Sequence, residues 1–147
     1  MSNESLRATL NQALNEYALE RRRILGKIQN CRNASFDVET NLKRAQEAER
    51  QAIFADDETT RKANEVLDHY NSLPEPRPQA LLEQYNALIG KQYDTHRIRM
   101  DSHRLVEVQI QQVEQRRIQL GVAEQDLKTI DARIAETMIE IKRLGQS

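Results

Sequence analysis

A column of residues taken every seventh position from Leu10 runs through Tyr17, Ile24, Cys31, Val38, Ala45, Ala52, Thr59, Val66 and Leu73, mostly apolar and never charged. Its companion column, Leu14, Arg21, Ile28, Ser35, Leu42, Glu49, Asp56, Ala63 and Tyr70, is apolar only in part. The second half repeats the arrangement with Tyr85, Gln92, Arg99, Val106, Val113, Leu120, Leu127, Ile134 and Ile141. Beside it stand Leu81, Leu88, Ala123, Ile130, Thr137 and Leu144. Between residues 89 and 110 the apolar character moves one place along, and the spacing predicts a shifted seam of Ile89, His96, His103 and Ile110. A mean spacing of 3.5 sustained over so many turns is the mark of a coiled-coil seam.

Proline and glycine set where the helices stop. All three prolines fall in 74–78, and the 47 residues between Gly26 and Pro74 contain neither residue type. Proline removes a helical donor and clashes with the preceding turn, so the chain must break there. Ser2 or Asn3 can cap the first helix, Pro78 suits the first turn of the second, and Gly145, after Lys142 and Arg143, supplies a stop. The prediction is an all-α, single elongated domain: helix about 3–72, a Pro-rich turn at 73–78, helix about 79–144, each helix about 100 Å long at 1.5 Å per residue.

So short a turn folds the helices antiparallel. Residues whose numbers sum to about 152 then lie side by side, so that Ile24 meets Leu127, Tyr17 meets Ile134 and Leu42 meets Ile110. Ala45, Ala48, Ala52 and Ala55 would make room for His96, Met100 and His103. Charge agrees, because residues 36–75 are net acidic and face a net basic stretch over 77–116. The competing architecture is a shorter bundle. Ser35-Phe36-Asp37 and Asp56-Asp57-Glu58-Thr59 both resemble helix starts, although the heptad phase runs unbroken through them.

Composition narrows the function classes. In 147 residues there are four Gly, three Pro, one Cys and no Trp, with 38% hydrophobic and 31% charged side chains. That is too few turn-formers for a sandwich, barrel or α/β sheet. No apolar run exceeds the four residues 52–55, which excludes membrane insertion by a helix. The first residues carry no export signal, and a lone Cys31 cannot form an internal disulfide, so a cytoplasmic, reducing location is expected. His96 and His103, one heptad apart, are about 10 Å apart along the axis, too far to share a metal ion. They are expected as partly buried seam residues bonded to Glu49 and Asp56, with a pH-sensitive clasp as the functional variant. Cys31 has no base beside it, and no Gly-x-Ser-x-Gly elbow or phosphate-binding loop occurs. Neither an enzyme nor a cofactor is expected.

Two sets of candidate contact residues remain. The basic set is Arg22, Lys27 and Arg32, with Arg97 and Arg104 in the second half. A pI near 6.3 argues against nucleic acid as the partner. The apolar set lies off the seam: Leu25, Phe36, Ile53, Phe54, Ile98 and Leu105 above all, with Leu19, Ile118, Val122 and Ile139. Leu25 and Ile53 on one helix and Ile98 and Leu105 on the other would widen the stripe, as in a homodimer forming a four-helix bundle or a contact with a partner protein.

The expected function is thus a non-enzymatic structural or adaptor coiled coil in a protein assembly. In length, central turn and two long helices the chain resembles the helical-hairpin stalk proteins of flagellar and type III secretion export ATPases, which implies insertion into a ring of ATPase subunits. A virus-encoded structural or regulatory coiled coil and a nucleic-acid-associated dimeric regulator are the further alternatives.

Overall fold

The computed structural model describes residues 2–146. Two helices, α1 (Asn3–Ser72) and α2 (Gln79–Gln146), are joined by residues 73–78 and pack against each other as an all-α helical hairpin. Ser2 is the cap of α1: its Oγ accepts the Ser5 N–H at 3.1 Å, and its carbonyl takes the Leu6 N–H at 3.0 Å. At the turn, the Arg77 Nε donates to the Leu73 carbonyl at 3.1 Å while the guanidinium lies 5.4 Å from the centre of the Tyr70 ring. The Pro78 carbonyl accepts the Leu81 N–H at 3.3 Å as α2 begins.

One expectation about helix ends holds and one is corrected. The helix-start signals at 35–37 and 56–59 do not break α1. Thr59 turns its hydroxyl back to the Ala55 carbonyl at 2.8 Å, and Asp56 spends its carboxylate on α2, so neither competes for backbone N–H groups. Nor does Gly145 stop α2, which continues through it to Gln146; no described glycine has positive φ.

The contacts between helices group into two units. The terminal unit comprises α1 up to Asp37 and α2 from Val113, and the turn unit comprises Val38–Gln112. In the terminal unit Ile24, Ile28, Ala123 and Ile130 form a buried cluster flanked by Tyr17, Leu120, Leu127 and Ile134. The register is read from Arg21, whose Nε meets Asp131 Oδ1 at 2.7 Å, residue numbers that sum to 152.

The turn unit is built differently. Its buried α1 residues are Val38, Ala45, Ala52, Asp56, Thr59 and Ala63; Ala48 and Ala55 of the expected small set are exposed. The register is again 152, since Gln92 donates to the Thr60 hydroxyl at 2.8 Å and His103 meets Glu49 at 2.9 Å. Here the shifted seam is corrected. Leu88, Thr95, Ser102 and Gln109 occupy the half-buried positions, whereas Ile89, His96, His103 and Ile110 are exposed, Ile110 by 50%. A one-residue shift would turn the seam by about 100° away from α1. Heptad phase therefore prevails over side-chain polarity, and Thr95 satisfies itself with bonds to Asp56 and to the Gln92 carbonyl.

Candidate interaction surfaces

In the turn unit one set of ionisable groups lies in the seam and along one of its flanks. Heptad phase places Glu49 and Asp56 in the seam of α1 with Asp57 just outside, and Arg99 in the seam of α2 with His96 and His103 just outside. Asp56, with 7% of its side chain exposed, accepts hydrogen bonds from Thr95 Oγ1 at 3.0 Å and Arg99 Nη1 at 3.3 Å, and His96 Nδ1 stands at 3.5 Å. Burial pushes its pKa up, but the bonds from Thr95, His96 and Arg99 more than reverse this, and the carboxyl titrates below its ordinary value. Arg99 also reaches Asp57 at 3.2 Å.

His103 is held from two helices. Its Nδ1 meets Glu49 Oε2 at 2.9 Å, and its Nε2 meets Glu107 Oε1 at 3.1 Å on its own helix. The bond to Glu49, with the charges of Glu107 and Glu49, raises its pKa above its ordinary value. The expected partners of both histidines are therefore present. Their burial is not: the side chains of His96 and His103 are 65% and 57% exposed, because they sit beside the seam. Between the walls runs a groove bordered by Ile53, Ile89, Tyr93 and Met100.

The terminal unit has a more apolar groove, lined by Lys27, Asn30 and Cys31 of α1 and by Ile118, Gln119, Val122, Ala123 and Asp126 of α2. Cys31 is half-buried there, at the edge of the seam.

The predicted contact residues are scattered over these faces. Leu25, Phe36, Phe54, Ile98 and Leu105 are exposed, and Ile53 is half-buried. Ile53 shares the His103 flank of the turn unit. Leu105 lies two residues beyond His103, about 200° round the helix. Ile98 and Leu105 therefore fall on the opposite flank, and one widened stripe through Ile53 and Leu105 does not form. Of the basic residues, Lys27 lines the apolar groove, while Arg32 points to Glu124 at 3.9 Å, about 140° away from Lys27 round α1. Arg22 is exposed, as is Arg97, and Arg104 stands 3.7 Å from Asp101. The exposed residues that do cluster, Ile89, Tyr93 and Met100, were legible as an i, i+4, i+11 stripe on one face of α2. They are masked by the competing reading of Ile89 as a seam residue.

Among the described residues no three His, Cys, Asp or Glu side chains are placed to hold a metal ion, and no helix is long and apolar enough to cross a membrane. Compared with known proteins, the chain matches no family model, no curated sequence and no solved structure.

Proposed function

We propose that the chain is a non-enzymatic coiled-coil protein that serves as a structural or adaptor element in a larger protein assembly within a reducing compartment. The observation that carries this reading is the set of large apolar side chains left in water on regular helices. Phe54 is 71% exposed in mid-helix, and Ile118 and Val122, both exposed, border the groove beside Cys31 and Ala123. Single exposed apolar residues are ordinary, whereas several bordering a groove suit a protein contact.

The test is affinity capture from the native host with the wild-type chain and with Ile118→Glu/Val122→Glu. A protein recovered with the wild type and lost with the variant is the expected result. Recovery of nothing specific by the wild type would end the adaptor reading. The export-ATPase stalk is a narrower version, favoured by two uninterrupted helices of 70 and 68 residues. Adding the chain to such an ATPase should change its hexamer formation or hydrolysis, and no change in either removes that version.

A further inference from the structure

The groove of the turn unit has walls of opposite character. On the α1 wall Asp57 is 70% exposed, while Asp56 is buried and Glu49 largely covered, both bonded to α2; on the α2 wall His96 and His103 are exposed, His103 with Glu107 beside it, and Arg99 is partly exposed. The difference extends along the unit: residues 38–72 hold eight acidic and five basic side chains, whereas 79–112 hold four of each together with two histidines. Along the rim, Ile89, Tyr93 and Met100 are exposed, Tyr93 by 75%, and Ile53 lies half-buried on the opposite wall. An acidic wall beside a basic one, with apolar residues on both, is complementary to itself after a half-turn.

We propose that this groove is closed by the same groove of a second copy of the chain, about a two-fold axis parallel to the helices. This rests on the reading of the chain as an interaction protein and names the occupant of one of its faces. Such an axis lays the α1 wall of each copy over the α2 wall of the other, the isologous arrangement of most dimers. With the observed register of 152, Ile53 comes over Met100 of the second copy, and Asp57 over its His96. A two-fold axis across the helices would instead lay acidic wall on acidic wall and basic on basic, which like-charge repulsion disfavours. The face is about 30 Å long and two helices, about 20 Å, wide. The resulting area of about 600 Å² per copy is below the roughly 800 Å² per partner of a standard interface, which puts the contact among the weak, concentration-dependent associations.

Sedimentation of the full chain at tens to hundreds of micromolar tests this. The expected mass approaches twice 17.1 kDa with rising concentration. Tyr93→Glu/Met100→Glu should weaken the association by about tenfold or more with far-UV helicity unchanged. Orientation is read in a Cys31→Ser background: chains carrying Ile53→Cys and chains carrying Met100→Cys should crosslink to each other on mixing, and neither to itself. A monomer throughout the range overturns the proposal, as does a dimer that survives the double glutamate variant or one in which Ile53→Cys crosslinks with itself. A monomer that still captures a host protein through the Ile118 and Val122 groove would overturn the second copy while leaving the adaptor reading intact.

Discussion

The terminal and turn units use the same heptad spacing and the same antiparallel register, yet their seams are chemically unlike. In the terminal unit Ile24, Ile28 and Ile130 interlock with Ala123 and a ring of Leu and Tyr side chains. In the turn unit the buried α1 positions are held by Val38, Ala45, Ala52, Asp56, Thr59 and Ala63, and α2 answers with buried Val106 and half-buried Leu88, Gln92, Thr95, Arg99 and Ser102. Apolar burial supplies stability in proportion to area, about 25 cal/mol per Å², and says little about which turn meets which. A seam of small and polar residues buries less, but Asp56 with Thr95 and Arg99, and Glu49 with His103, fit only one register. The contrast parallels coiled coils in which one polar seam residue fixes alignment at some cost in stability. The terminal unit carries the larger apolar cluster, and the turn unit carries more of the cross-helix polar bonds that fix the register.

The largest effect expected from this division is in the terminal unit. Ile130→Ala should cost about 2–4 kcal/mol in chemical denaturation, because a buried isoleucine is emptied from a close-packed cluster. A loss below about 1 kcal/mol would mean that this seam is not dry. In the turn unit the damaging change is enlargement. Ala63 is 1% exposed, and Ala63→Leu should cost about 1–3 kcal/mol through overpacking, whereas the same change at exposed Ala48 should be nearly neutral. Equal tolerance at both positions would show that the turn-unit seam is loosely packed.

A stabilising change sharpens the comparison. Gln109 stands in the α2 seam with its Oε1 buried and no hydrogen-bond partner among the described residues. Gln109→Leu should therefore raise stability by about 1 kcal/mol, read as a higher denaturation midpoint. A fall would place a hydrogen-bonded role on that oxygen.

The smallest effect is the response to pH, and it should be confined to one unit. The pKa of His103 is raised above 6.5 in the folded chain, so its contribution is fully present below that pH and is lost as pH rises through the folded value. Between pH 6 and 8, hydrogen exchange should quicken around 45–56 and 99–106 but not around 24–31 or 120–130, and His103→Gln should abolish the difference. Asp56 acts with the opposite sign. Its pKa is lowered below 3.8, so its contribution holds above that pH and disappears only as pH falls through the lowered value. An equal response in both units at neutral pH would detach the effect from His103.

The sequence alone determined the secondary structure nearly to the residue. Three clustered prolines, a proline-free and glycine-free stretch on one side and a continuous heptad on the other leave two helices and one turn, and the helix limits at 3, 72 and 79 match. Period and breakers are local properties, which is why they can be read without coordinates. The antiparallel register was legible as well, because a short turn fixes which residues can be level. Only the tertiary structure decided which of two neighbouring columns α2 turns inward between 88 and 109. Apolar Ile89 and Ile110 compete there with polar Thr95, Ser102 and Gln109, and hydrophobicity counted along one strand of sequence favours the wrong face. The partner helix settles it, since the uninterrupted α2 keeps its heptad phase, and Ala45, Ala52 and Ala63 together with Asp56 accept polar neighbours. That choice turned the histidines and the Ile89, Tyr93 and Met100 stripe outward. A surface contact depends on what two helices jointly leave uncovered, and no single periodic column contains that information.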